Sequence, residues 1–162
     1  MQNVEEIYSK YFKIVYKYIF CLTGNKELSE EIVQEAFLVA VKDINKFEGK
    51  SKITTWLCQI AKNIWYKQLK KEKRIKKISL SEIENIAVES FEEKLYEKDE
   101  KLQLLKKIQK LDKETKKVIY LRIFGNLEYE EIAQIMNRTA SWARVVYFRG
   151  KQKLKEDKNE RL

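Results

Sequence analysis

A chain of 162 residues can fill one medium domain or two small ones. Apolar residues make up 44% of it and aromatic residues 12%, enough to bury a core, so intrinsic disorder is not the default. It has no proline, four glycines and no histidine, a composition that favours helices joined by short turns and removes the commonest general base and metal ligand.

The net charge of +9 is unevenly placed: residues 1–74 carry +5, residues 75–110 none and residues 111–162 +4. A polyanion touched at two separated places fits that split. An anionic membrane surface or a merely lysine-rich solvated surface fits it too. Cys21 and Cys58 lie in apolar helical patterns without CxxC spacing and read as buried thiols in a reducing compartment. No signal peptide and no apolar run of membrane-spanning length is found, so a cytoplasmic chain is expected.

The first helix is predicted from Val4 to Leu22, with Val4, Ile7, Tyr8, Tyr11, Val15, Tyr18, Ile19 and Leu22 at three- and four-residue steps, and Gly24-Asn25 ends it. The second runs from about Glu27 to Asn45, with Leu28, Ile32, Val33, Ala36, Phe37, Ala40, Val41 and Ile44 inward. Glu31, Gln34 and Glu35 then project outward as an acidic patch, which by itself reads most simply as helix-surface charge. A loop from Lys46 to Lys52 contains Gly49 as a turn residue, and the third helix begins near Thr54, a candidate N-cap. Its core stripe is Ile53, Leu57, Ile60, Ala61 and Ile64.

From Lys62 to Lys77 there are eight basic residues against one Glu. Asn63, Tyr66, Lys67, Lys70 and Arg74 recur at helical spacing, largely opposite the core stripe. Basic groups attract phosphate without regard to sequence, and aromatic rings give unstacked bases a platform, so the segment suits opened or single-stranded nucleic acid. Trp56, beside Leu57, reads more naturally as core; Trp65 and Tyr66 read equally well as core or as platforms.

The pattern weakens from Lys70 to Glu89, which reads as a linker. Ser90 and Glu93 fit a capping box for a helix continuing through Leu95, Leu102, Leu105 and Ile108. Asp112 is a good N-cap for the next, with Val118, Ile119, Leu121, Ile123 and Phe124 apolar, and Gly125 reads as its stop. Residues 128–154, EYEEIAQIMNRTASWARVVYFRGKQKL, have the layout of a helix-turn-helix. Ile132, Ala133, Ile135 and Met136 form one apolar segment, with Ala133 where the helices approach closely, and Asn137 suits the turn. The second segment places Ala143, Val146, Tyr147 and Leu154 on one face and Arg144, Arg149 and Lys151 on others, free to enter a DNA major groove. A helical hairpin that only builds a core has the same pattern. Gly150 falls inside this last helix and is expected to loosen it by ~1 kcal/mol.

The segment SEEIVQEAFLVAVKDINKFEGKSKITTWLCQIAKNI closely resembles region 2 of the small extracytoplasmic-function (ECF) sigma factors of bacterial RNA polymerase, and the helix-turn-helix with its basic tail resembles their region 4. VQEAF, then FEGKS, then TTWL and IAKN, then the helix-turn-helix, span about residues 5–155. The resemblance implies an all-α fold of two small helical domains, region 2 over 1–74 and region 4 over 90–162, joined by a flexible linker over 75–89. It implies that Glu31, Gln34 and Glu35 bind the clamp of core RNA polymerase, with Glu31 where the family usually has Asp and Ile32 where it has Leu.

It also implies that the loop Phe47, Glu48, Gly49, Lys50 and Ser51 captures a flipped base of the promoter minus-ten element. Trp56, Asn63, Tyr66, Lys67 and Lys70 continue that surface, Lys67 standing where the family often has Asp. The minus-thirty-five readers would be Arg138, Ser141, Trp142, Arg144, Val145, Phe148 and Arg149. Valines at 145 and 146 stand where the family commonly has polar readers, and Gly150 where it usually has Ala. The implied partners are core RNA polymerase, promoter DNA and an anti-sigma factor, which could recruit the chain to the membrane if itself membrane-bound; no stable membrane insertion, no cofactor, no metal and no catalytic residue are implied. A free-standing helix-turn-helix regulator that binds duplex without polymerase is the alternative. A nuclease would need clustered carboxylates, whereas the pairs Glu30-Glu31 and Glu130-Glu131 read as solvated.

Overall fold

The structure, a computed structural model, describes residues 3–73 and 99–159. The expected linker over 75–89, the Ser90 capping box, Leu95 and Arg74 lie outside the described residues. The chain divides into two compact units, Met1–Phe91 and Glu92–Leu162, and each is described by itself. All regular elements among the described residues are helical.

The first unit packs three helices against one another: α1 (Val4–Thr23), α2 (Lys26–Lys42) and α3 (Ile53–Lys73). Asn3 caps α1, its side-chain oxygen accepting from the Glu5 amide, and Gly24 ends the helix at φ 62°, a left-handed conformation that costs glycine little. Asn25 then caps α2 by accepting from the Leu28 amide at 3.0 Å. This tight corner would bury hydroxyls without partners, but Thr23 Oγ1 and Ser29 Oγ lie 2.6 Å apart and Ser29 Oγ also donates to the Asn25 carbonyl. Val15, Ile19, Ile32, Val33, Ala36, Leu57 and Ala61 are almost wholly buried between the helices. Cys21 and Cys58 are separate buried thiols, and burial pushes the Cys21 thiol up to about 12, which keeps it protonated and unreactive.

Two boundaries differ from those expected. α2 stops at Lys42 rather than Asn45, and residues Ile44–Lys46 form a single 3-10 turn, with Lys46 paired to Asp43 at 2.9 Å. α3 starts at Ile53, so Thr54 is not its cap but a buried first-turn residue. Val4, Tyr8, Val41 and Ile44, expected inward, are more than a third exposed. Three of them, Val4, Val41 and Ile44, rim an open apolar hollow of about 370 Å³ floored by Phe37, Ala40, Phe47, Trp56 and Leu57. The α2 stripe thus outruns the helix that covers it.

The second unit comprises α4 (Asp99–Ile108), α5 (Lys113–Ile123), α6 (Tyr129–Met136) and α7 (Ala140–Asn159). Asp112 caps α5 as expected: its carboxylate accepts from the Thr115 amide at 3.1 Å and the Thr115 hydroxyl at 2.6 Å. Those two bonds, the hydroxyl's first, hold the carboxyl below its ordinary range. After α5 it is Asn126, not Gly125, that takes the left-handed conformation, at φ 51°. α6 opens with a capping box: the Glu128 amide donates to the Glu131 carboxylate at 2.8 Å, and the Glu128 side chain accepts from the Glu131 amide. Ile108, Ile119 and Leu154 centre a core that Leu104, Leu111, Phe124 and Tyr147 enclose.

Candidate nucleic-acid interface

The turn between α6 and α7 is built as the sequence predicts. Asn137 adopts φ 55° and ψ 47°, and its amide and that of Arg138 both return to the Ala133 carbonyl. Ala133 is buried at the crossing, where a longer side chain would push the helices apart. Thr139, which no sequence signal singled out, caps α7 by accepting from the Trp142 amide at 3.1 Å. Ala143, Gly150 and Leu154 face inward, leaving Ser141, Arg144, Val145, Phe148 and Arg149 exposed on the outer face of α7. All five are candidate readers.

Two of the expected cationic readers are held by neighbours. The Arg144 guanidinium lies 5.2 Å from the centre of the Tyr129 ring, and Arg122 lies 4.7 Å from the same ring while donating to the Leu127 carbonyl at 2.9 Å. Arg138 stacks over Trp142 at 5.1 Å and donates to Glu114 at 3.0 Å, tying the turn to α5. Trp142 is half-buried beneath it. Tyr129 and Arg122 were missed because nothing local marks them: they meet Arg144 only once α6 folds back on α7.

In the first unit the loop residues Phe47–Ser51 sit at the rim between α2 and α3. Gly49 turns the chain at φ 71°, where other residues are strained, and the flanking Glu48 and Lys50 form an ion pair. Phe47 and the half-buried Trp56 pack ring to ring at 5.1 Å, so this aromatic pair stiffens the loop from below. On the outer face of α3, Asn63, Lys67 and Lys70 are exposed, and Gln59 Nε2 donates to Asn63 Oδ1 at 3.0 Å. Asn63, Lys67 and Lys71 share a hollow of about 570 Å³ with Glu35 of α2 and with Asp43, the residue that follows α2, over a floor that includes Val39, Ile60 and Ile64.

Tyr66 does not join them. It is 6% exposed and Trp65 3%, so both rings are core and neither offers a face to a base. The Lys62 ammonium, itself largely buried, lies 5.4 Å from the centre of the Tyr66 ring. The helical spacing that grouped Tyr66 with Asn63 and Lys67 is real, but the helices packed alongside α3 cover that edge.

On α2, Glu31, Gln34 and Glu35 are exposed as expected. Leu38, one turn further on, is 66% exposed. Residues at i, i+3, i+4 and i+7 share a helix face, so Leu38 gives this acidic face an apolar end that the sequence pattern did not isolate.

Residues 5–75 match the family model described as Sigma-70 region 2, and residues 101–154 the one described as Sigma-70, region 4. The chain is 28% identical over 153 residues to the ECF RNA polymerase sigma factor SigM of Bacillus subtilis, covering 94% of this chain and 93% of the relative. It is 26% identical over 158 residues to the RNA polymerase sigma factor YlaC of the same organism, covering 96% and 91%. Against the ECF RNA polymerase sigma-E factor of Escherichia coli the identity is 31% over 134 residues, covering 75% of this chain and 69% of the relative. The chain belongs to the ECF RNA polymerase sigma factor family. This sigma factor is an alternative one, directing promoter-specific initiation, and each of its two matched regions lies within one of the two packed units. No helix of the sigma factor among its described residues is long and apolar enough to cross a membrane.

Proposed function

We propose that this sigma factor, acting in the cytoplasm, holds core RNA polymerase with one face of α2 and promoter DNA with two other surfaces, taking residues 1–74 and 90–162 as regions 2 and 4 and 75–89 as the tether. The observation that carries the reading is the exposed acidic and apolar face of α2, which borders the basic side chains of α3 at Glu35. Glu31, Gln34, Glu35 and Leu38 share one side of α2, whereas Asn63, Lys67 and Lys70 stand on α3 and Arg144 and Arg149 on α7. An acidic face is repelled by phosphate, so it is free for a protein, and its exposed leucine supplies the apolar contact that protein interfaces use.

The minus-ten contact is Phe47, Glu48, Gly49, Lys50 and Ser51 with Asn63, Lys67 and Lys70; Trp56 acts from beneath through Phe47. Separating strands costs ~1.4 kcal/mol per stacked step, and capturing one unstacked base returns ~1–3 kcal/mol, so the loop offsets about one step of opening. Arg138, Ser141, Trp142, Arg144, Val145, Phe148 and Arg149 contact the upstream duplex, whose phosphates and base edges together fix register. The protein makes and breaks no covalent bond in this reading. An anti-sigma protein is its negative partner, expected to occlude these same faces.

The test is run-off transcription of fragmented genomic DNA by purified core polymerase with and without the protein. Initiation at a distinct set of start sites is the expected result. Tight duplex binding by the protein alone, with no capture of core polymerase, overturns it in favour of a free-standing regulator.

A further inference from the structure

The outer face of α7 carries a feature that charge does not explain. Val145 is 47% exposed and Phe148 61%, the two large apolar side chains left open on a helix whose other outward residues are polar or charged. At 100° per residue, Ser141, Val145, Phe148 and Gln152 lie along one strip, with Arg144 and Arg149 on its opposite flanks. Trp142 is engaged under Arg138 and does not belong to the open strip. Two adjoining apolar groups at the centre of a cationic face need an occupant that is both anionic at its edges and apolar in its middle.

We propose that this strip reads thymine, and that Val145 and Phe148 recognise the C5-methyl groups of thymines in the upstream promoter element. Major-groove chemistry singles out that base. Guanine, adenine and cytosine present only donors and acceptors there, and thymine alone adds a methyl group. An apolar side chain set against a guanine or cytosine edge strips water from polar atoms and returns no hydrogen bond, which selects against those bases as much as methyl contact selects for thymine. Arg149 on one flank suits the phosphates bordering the groove, Arg144 on the other reaches neighbouring base edges, and Ser141 and Gln152 supply hydrogen bonds at neighbouring steps. The inference rests on the reading in which α7 enters the major groove; it specifies what α7 finds there.

The experiment uses holoenzyme reconstituted from core polymerase and the full chain, on a promoter selected by transcription from a pool randomised over the upstream element. Each thymine of the selected element, on either strand, is replaced singly by deoxyuridine, which removes the methyl and nothing else. We expect one or two positions at which deoxyuridine weakens open-complex formation about fourfold, the worth of one buried methyl. Val145→Ser abolishes the thymine-over-uracil preference at one of them, and Val145→Thr, which keeps one methyl, retains part of it. Equal use of thymine and deoxyuridine at every position by the unaltered protein overturns the proposal.

Failure of the underlying reading looks different. If Arg144→Ala leaves the preference among upstream sequences unchanged and Arg149→Ala leaves affinity for upstream duplex unchanged, α7 is not the reader at all, whatever the uracil result. If Val145→Ser and Phe148→Ser weaken assembly with core polymerase and leave thymine discrimination intact, the strip is a protein-docking surface and the proposal is wrong.

Discussion

Gly150 lies inside α7, where glycine costs ~1 kcal/mol relative to alanine, so Gly150→Ala read from helix propensity alone should stabilise the protein. The packing predicts the reverse. A Cβ built at residue 150 falls 2.6 Å from Thr115 Cγ2 and against Ile119 Cδ1, whereas carbon atoms rest at ~3.5–4.0 Å. Thr115 cannot swing its methyl aside without breaking the 2.6 Å bond from its hydroxyl to Asp112, the bond that caps α5. Ile119 is wholly buried, so its terminal methyl has no open space to enter. Overpacking of this kind costs ~1–3 kcal/mol, and after the propensity gain the second unit should lose about 1 kcal/mol. Hydrogen exchange of the Val118 and Ile119 amides reads that unit separately from the first. Adding Ile119→Val, which removes the offending methyl, should recover at least ~0.5 kcal/mol of the loss in a double-mutant cycle. Slower exchange in Gly150→Ala, with no coupling to residue 119, would refute the close approach of α5 and α7.

Replacing Gln34, Glu35 and Leu38 together by Ala should reduce capture by core polymerase at least tenfold while leaving thermal unfolding unchanged, because all three are exposed; pull-down and melting curves check both halves. Charge reversal at Lys67, Lys70 and Lys71 should flatten the salt dependence of holoenzyme binding to forked promoter DNA, the slope falling by ~0.7 for each single-strand phosphate that is no longer neutralised, with promoter ranking unaltered. Arg144→Ala should lower initiation at promoters with a matched upstream element and spare those without one; equal loss everywhere would remove it from base reading. Asp112→Asn should flatten the acid limb of the second unit's stability. The Asp112 carboxyl is held below its ordinary range in the folded state, so its stabilisation is present above the unfolded value near 3.8 and is lost as pH falls through the lower folded value. Exchange rates of unit-two amides across that window measure the difference.

What could be read from the residues in order was what depends on near neighbours. The Asp112 cap, the left-handed Gly24 and Asn137 and the burial of Ala133 all follow from side chains within about four positions, and each stands where it was expected. Where a stripe met its end, the pattern overshot: Val41 and Ile44 continue the α2 period past the point where a neighbouring helix covers it, and so they rim an open hollow. The left-handed turn after α5 went to Asn126 rather than Gly125, since both residue types tolerate that conformation and the choice depends on how α5 meets the loop.

Tyr66 and Gly150 mark the same divide in the candidate sites. Spacing put Tyr66 with the basic surface of α3, and the surrounding helices claimed it for the core. Gly150 looked like a weak point in α7 and is instead the gap that admits Ile119 and Thr115. Sequence alone determined the helices, the Asp112 cap, the helix-turn-helix spacing and the placement of charge along the chain, because helical period and capping act over a few residues. Tertiary structure alone decided which aromatic rings are hidden, which leucine and valine remain exposed, and where a single methyl cannot fit. Those outcomes depend on which helix lies alongside, at a sequence distance that no local pattern spans.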